Sequence, residues 1–189
     1  MRITGGEFCG RKLAVPRGDG VRPTQDRVRE ALFSILMDVI PGTVFIDLFA
    51  GSGAVGLEAF SRGAASIIWI ENSSRHLRIL RQNCGALMPG RGEIVMADVE
   101  SWVKTGGKGR KADVIFADPP YVDALQKGFS PLMKLLAEYR VVSDNGFFVA
   151  EMPVRCDADE ETGWTLQKDR VYGHTRVAVY RRSVERKVL

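Results

Sequence analysis

The stretch that decides the fold runs from Asp47 to Gly56: Asp47-Leu48-Phe49-Ala50-Gly51-Ser52-Gly53-Ala54-Val55-Gly56, or DLFAGSGAVG. A short apolar run, Thr43–Leu48, leads into it and reads as a strand. Behind it, Val55, Leu57, Ala59 and Phe60 give helical spacing over Ser52–Arg62, and Gly63 stops that helix. Strand, glycine loop and helix in this order make a ligand seat. The backbone N–H groups of Gly51–Gly53 and the helix N-terminus can approach a ligand closely because glycine has no Cβ. The core GSGAVG matches the dinucleotide fingerprint, and Glu71 lies twenty residues past Gly51, where that fingerprint wants an acid. A dinucleotide is therefore one candidate ligand.

Working outward, the same alternation repeats. Ser66–Ile70 is an apolar strand and Ser73–Met88 a helix stopped by Pro89-Gly90. Glu93–Met96 is a strand and Val99–Lys104 a short helix. TGGKGRK follows as a basic glycine-rich loop. Asp113–Ala117 is a strand, Ala124–Tyr139 a helix and Gly146–Ala150 a strand. Continuous apolar strands separated by helices predict a mostly parallel sheet covered on both faces. Such sheets bind ligands at the carboxyl ends of their strands. Trp164–Val171 and Thr175–Arg181, with Gly173 between them, predict an antiparallel hairpin at the sheet edge. The fold class is α/β, a doubly wound sheet of seven strands. Upstream, the first fifteen residues suggest a small β-hairpin. Thr24 is a plausible N-cap for a helix running from Arg27 to Ile40, ended by Pro41-Gly42.

The 189 residues suit one domain with a small extension. There is no apolar run long enough for a membrane span, and MRITGGEFCGRKL lacks the apolar core of a signal peptide. A cytoplasmic location is the expectation. Cys9, Cys84 and Cys156 form no C-x-x-C pair, so neither a metal site nor a disulfide framework is indicated. The net charge of +4 is unevenly spread. Residues 1–30 carry seven Arg/Lys against four acids, and residues 164–189 seven against two, which leaves the middle at −4. Basic ends around an acidic centre suit a polyanion gripped by the edges of the fold, or are simply solvated.

The acids locate the ligand more sharply. The first strand ends at Asp47, the second at Glu71, the third near Asp98 and the fourth at Asp118. Glu71 can accept from ribose hydroxyls. Asp98 can accept from an adenine amine. Asp47 lies under the glycine loop, where it would repel a pyrophosphate and welcome a cation. S-adenosylmethionine, with a sulfonium, an ammonium, a ribose and an adenine, fits this pattern better than a dinucleotide. Each acid also has a plainer reading. Asp47 can cap a helix or loop from within the core, Asp98 can N-cap Val99–Lys104, and Glu71 can be an exposed strand-end acid.

The fourth strand runs into Asp118-Pro119-Pro120-Tyr121, DPPY. The prolines fix the backbone and remove two N–H donors, so what remains is acceptors: the Asp118 carboxylate and the Pro119 carbonyl. A rigid pair of acceptors suits the –NH₂ of a planar base. Two hydrogen bonds to its protons pull the nitrogen toward tetrahedral geometry and free its lone pair. Tyr121 can stack on the base.

DLFAGSGAVG followed by DPPY resembles the class I, Rossmann-like S-adenosylmethionine-dependent methyltransferases that act on exocyclic amines. RITGGEFCGRKLAVP followed by VRPTQDRVREALFSIL is more specific. It closely resembles the opening of the RsmD family of bacterial 16S rRNA guanine-N2 methyltransferases, and the likeness runs to the YGHTRVAVYRR tail. The resemblance implies transfer of a methyl group to N2 of a guanine, the one numbered 966 in the standard rRNA scheme. A DNA or RNA adenine-N6 or cytosine-N4 amino-methyltransferase is the alternative. The resemblance also implies Asp118, Pro119, Pro120 and Tyr121 as the catalytic motif. Cofactor contacts fall on Asp47, Phe49, Ala50, Gly51, Ser52 and Gly53, on Glu71 with Asn72, and on Asp98 with Val99, helped by Thr24. RNA contacts fall on Arg2, Arg11, Lys12, Arg22, Arg27 and Arg29, although Arg27 and Arg29 can instead pair with Asp26 or Glu30 on the helix. Residues 1–40 are then a basic RNA-contacting extension and residues 41–189 the methyltransferase domain. No metal is implied. The expected partner is 16S rRNA within the small ribosomal subunit or its assembly intermediate, bound by a monomer.

Overall fold

The computed structural model describes residues 1–16, 23–120 and 128–183, the side chains of residues 23–25 excepted. Its elements in chain order are α1 (Pro23–Ile35), β1 (Val44–Leu48), α2 (Ala54–Ser61), β2 (Ser66–Glu71), α3 (Ser74–Leu87), β3 (Glu93–Met96), α4 (Val99–Lys104), β4 (Ala112–Ala117), α5 (Ser130–Glu138), β5 (Val142–Pro153), β6 (Trp164–Tyr172) and β7 (Thr175–Arg182). The strands form a seven-stranded sheet in the order β3-β2-β1-β4-β5-β7-β6. This is the α/β, mostly parallel architecture expected from the sequence. No described helix is long and apolar enough to cross a membrane.

The chain divides into two compact units at Val99/Glu100. The first holds β1, β2 and β3, all parallel, with Asp47 opposite Trp69 and Glu71 opposite Met96. The middle strand β2 is buried over Ile67–Glu71, which explains its unbroken apolar run. Gly56 lets α2 close on that strand, since a Cβ there would lie 2.2 Å from Trp69 Nε1. In the second unit β4 and β5 are parallel, and β7 pairs antiparallel with both β5 and β6. The hairpin expected at the tail is therefore present, with β6 on the edge. Strand β5 is longer than Gly146–Ala150 because its pairing with β7 runs on to Pro153.

The N-terminal segment departs from the expected hairpin. It makes one antiparallel bridge, Arg2 with Lys12, and turns elsewhere, so it is a tight loop more than a hairpin. It is also bonded to α2. Thr4 gives both its N–H (2.8 Å) and its hydroxyl (2.7 Å) to Glu58 of α2. Ser61 Oγ accepts from Phe8 N–H at 2.9 Å and donates to the Gly5 carbonyl at 2.6 Å. Helix α1 begins at Pro23 and ends at Ile35, earlier at both ends than Arg27–Ile40, with looser turns carrying the chain to Pro41.

Candidate active site

Strand β1 delivers the glycine loop. Leu48 is its last residue, and Phe49 then takes a left-handed backbone conformation (φ 63°), which non-glycine residues rarely adopt. Such strain persists only where the surroundings hold it, and it clusters at ligand sites. Here Ala50 N–H donates to the Ile70 carbonyl at 3.0 Å, locking the loop to β2. The glycines then divide the work. At Gly51 (φ 55°) an added Cβ would meet nothing within 4 Å, so this backbone faces open space. At Gly53 (φ 78°) it would lie 2.2 Å from Leu80 Cδ1, so this glycine serves packing against α3. The loop therefore leaves room beside Gly51.

The acids around it are more occupied than the sequence suggested. Asp47 is 1% exposed, and its Oδ2 accepts the Gly56 N–H at 2.9 Å. Gly53 starts α2 with no side-chain cap of its own, so Asp47 caps that helix from the core, as its plainer reading held. Its charge is nonetheless felt: burial, and then the Asp47 carboxylate, push the Cys84 thiol up to about 12. Glu71 is buried, not exposed. Oε2 accepts from Gly51 N–H at 2.7 Å and Oε1 from Ser73 N–H at 2.7 Å, with His76 Nδ1 at 3.6 Å. Gly51 N–H is thus spent on Glu71, and Gly53 N–H on the Ala50 carbonyl at 2.7 Å. This corrects the expectation that both point at a ligand. Each Glu71 oxygen keeps a second lone pair beyond these backbone donors. Asn72 and Asp98 are exposed, Val99 is buried, and Asp98 directly precedes α4. The Thr24 side chain lies outside the described residues.

Sequence reasoning missed Asn83. This buried α3 residue accepts the Ala14 N–H at 2.9 Å, donates to the Ala14 carbonyl at 3.0 Å and donates to the Ser52 carbonyl at 2.9 Å. It clips the N-terminal segment to the glycine loop. The signal was there: Leu77, Leu80 and Cys84 mark the inward face of α3, and Asn83 is the polar residue beside them. Glu58 was missed likewise. It is fully buried, and it joins Arg29 (3.3 Å), Arg62 (2.9 Å) and Thr4.

That network corrects the RNA-contacting set. Arg29 is 4% exposed, and its guanidinium is taken by Glu58, Asp26 (3.0 Å) and the Arg2 carbonyl. It braces the fold and presents no charge to RNA. Arg2, Arg11, Lys12 and Arg27 are exposed. Arg2 and Arg27 line one groove of about 450 Å³, with Asp26 and Glu30 in the same wall. Arg22 lies outside the described residues.

In the second unit, Asp118 follows the last residue of β4, and Pro119 behind it is buried. Solvent reaches Asp118, yet protein crowded around its carboxyl desolvates the charged form and raises the pKa to about 7. A carboxyl with that pKa accepts or holds a proton near neutral pH. Tyr121 lies outside the described residues.

The family model for conserved hypothetical protein 95 matches residues 1–181. Ribosomal RNA small subunit methyltransferase D of Escherichia coli K12 is 35% identical, over 98% of this chain and 91% of that protein. The protein of the same name in Haemophilus influenzae is 31% identical, over 95% and 93%. The solved structure of yhhF from Escherichia coli is 35% identical over 98% of this chain and 99% of that one, with a TM-score of 0.84. A solved hypothetical protein of Thermus thermophilus is 30% identical over 97% and 99%, with a TM-score of 0.76. With the fingerprint loop, the β4 motif and the N-terminal block all falling inside these matches, the chain belongs to the conserved hypothetical protein 95 family, the RsmD family of S-adenosylmethionine-dependent ribosomal RNA methyltransferases.

Proposed function

We propose that this chain methylates the exocyclic N2 of a guanine in 16S rRNA, acting as a cytoplasmic monomer on the small ribosomal subunit or its assembly intermediate. The observation that carries the reading is Asp118-Pro119-Pro120 at the end of β4, where the ionised carboxylate and the two prolines, which lack N–H groups, offer acceptors. S-adenosylmethionine supplies the methyl group. Phe49, Ala50, Gly51, Ser52 and Gly53 would hold it in the loop, with Glu71 and Asn72 at its ribose, Asp98 and Val99 at its adenine and Thr24 assisting. The open space at Gly51 and the buried acids Asp47 and Glu71 fit a ligand that carries positive charge and no phosphate.

The residues of this chain do the rest. The target guanine leaves its stack, because an amine within paired RNA is out of reach. Asp118 Oδ and the Pro119 carbonyl accept hydrogen bonds from the two N2–H groups and turn the nitrogen lone pair outward. Tyr121 stacks on the base. As N2 bonds the methyl carbon, the bond from that carbon to the sulfonium sulfur would break and leave a neutral thioether, and the surplus N2 proton would pass to Asp118 or water. Arg2, Arg11, Lys12 and Arg27 contact phosphates.

Mass spectrometry of 16S rRNA from cells with and without the gene tests the target: one guanine loses a methyl group in the deletion. In vitro, Asp118→Ala abolishes methyl incorporation while calorimetric binding of S-adenosylmethionine persists. Near-normal turnover in that variant would remove Asp118 from the mechanism. Incorporation into DNA in place of rRNA would favour a DNA amino-methyltransferase. Elution at about 21 kDa on size exclusion checks the monomer.

A further inference from the structure

The second unit carries a cationic pocket at the opposite end of its strands from Asp118. Ala112 opens β4 and Val142 opens β5, whereas Asp118 lies beyond the last residue of β4. Strand β7 is antiparallel, so its final residues return to that opening end, with Arg181 opposite Phe147. There Lys111, Arg140 and Arg182, with Asp144, line a pocket of about 310 Å³. Seven residues of extended chain put it on the order of 20 Å from the catalytic motif.

Two of the three cations sit on backbone that disfavours them. Lys111 (φ 54°) and Arg140 (φ 52°) are both left-handed, a region where a Cβ is penalised. Arg140 occupies the position just past α5 in a Schellman turn, where glycine is the usual residue. Val141 N–H donates to the Leu136 carbonyl at 2.9 Å and Arg140 N–H to the Ala137 carbonyl at 3.2 Å. The glycine-rich loop lies against this turn: Gly109 N–H donates to the Tyr139 carbonyl at 2.9 Å, and Lys111 N–H to the Arg140 carbonyl at 3.3 Å. The two disfavoured residues are therefore neighbours that line one pocket. Arg182 is held over the Trp164 ring at 5.7 Å. The ion pairs nearby join Lys134 to Glu161 and Arg176 to Asp157 and Asp169, and use none of the three. A favourable helix dipole accounts for a cation at Arg140. It does not account for Lys111 and Arg182 lining the same pocket.

We propose that this pocket binds a backbone phosphate of the substrate RNA, a second contact remote from the target base. The inference rests on the RNA-methyltransferase reading above. Three cations suit a phosphate, and Asp144 can accept from an adjacent 2′-hydroxyl, which DNA lacks. Exposed Lys108 and Arg110 extend the positive surface, which gives the TGGKGRK loop a purpose that methyl transfer leaves it without.

The test compares the full-length wild type with a Lys111→Gly/Arg140→Gly double variant and with Arg182→Gln. Glycine suits both left-handed positions, so the double variant keeps its fold while losing two charges. Binding to protein-free 16S rRNA is measured across a salt series, alongside methyl incorporation, S-adenosylmethionine affinity and thermal unfolding. Each variant should weaken RNA binding roughly three- to tenfold, and the double variant should flatten the log K against log salt slope by about two. KM for RNA rises while kcat and S-adenosylmethionine affinity hold. Asp144→Ala should narrow the preference for RNA over DNA of the same sequence. Unchanged RNA affinity and salt slope in both charge variants would overturn the proposal. So would a loss seen only with the intact ribosomal particle, which would assign the pocket to a ribosomal protein. A wild type that methylates no 16S rRNA would instead remove the enzymatic reading, and the RNA-binding comparison would still decide the pocket.

Discussion

If Asp118 accepts from the target amine as proposed, its protonation state should set the activity near neutral pH. Desolvation raises its pKa to about 7, and only the ionised form can take up the proton that N2 loses. A group of that pKa is about 9% ionised at pH 6 and about 91% at pH 8, so kcat/KM should climb about tenfold between them. An ordinary aspartate, with a pKa of about 4, would give a flat profile over the same range. The assay is tritiated-methyl incorporation into 16S rRNA at subsaturating RNA, from pH 5.5 to 8.5, with S-adenosylmethionine binding measured in parallel. A flat profile would refute the reasoning, as would the same rise in residual activity of Asp118→Asn. The shift also acts on stability. Because the folded pKa is raised, the fold favours the protonated form. Its stabilising contribution is complete below the unfolded pKa of about 4 and is lost as pH rises through about 7. Asp118→Asn should therefore raise Tm relative to wild type at pH 8 and leave it nearly unchanged at pH 4.

Three further substitutions probe the scaffold. Glu58→Gln removes a buried charge shared by Arg29 and Arg62, and urea unfolding should show a loss of about 3 kcal/mol or more. Asn83→Ala strands two Ala14 groups and the Ser52 carbonyl. It should cost about 3 kcal/mol and also weaken S-adenosylmethionine binding by calorimetry, because the glycine loop loses its clip. Arg140→Gly relieves a left-handed arginine and should stabilise the fold by about 1 kcal/mol in thermal melts.

The sheet was legible because its signals are local. Strands such as Ile67–Ile70 are buried on both faces and read as unbroken apolar runs, and Gly63 and Pro89-Gly90 mark helix ends by backbone chemistry. The helix at α1 was misplaced at both ends because its start rests on a Pro23 that suits a first helical turn, and its tail loosens before Pro41 gives the stop signal. The attachment of the N-terminal segment was illegible for a different reason. It is made by Glu58, Ser61 and Asn83, each more than 50 residues away in sequence. No local pattern announces such a bond. Arg29 shows the same limit. An arginine on an amphipathic helix reads as surface, and only the buried Glu58 turned toward it changes that.

The glycine fingerprint itself was legible and undecided, and the structure explains why. Gly51 leaves space for a ligand, Gly53 admits Leu80, and Gly56 admits Trp69. Those are geometric tasks, and a dinucleotide fold and a methyl-donor fold need all three alike. Discrimination has to come from charge. Asp47 supplies it less directly than its position under the loop suggests, since its carboxylate is buried and caps α2. Yet the negative charge stays beneath the loop, and the same loop has already committed its Gly51 and Gly53 N–H groups to Glu71 and Ala50. A pyrophosphate there would meet a buried carboxylate and two spent donors. A cofactor with a sulfonium and no phosphate would meet an attractive field there and could be held by the loop with those two amides left to their partners. The internal bonding of the loop, which the sequence could not display, is therefore the physical reason that a fingerprint shared with dinucleotide folds suits a methyl donor here.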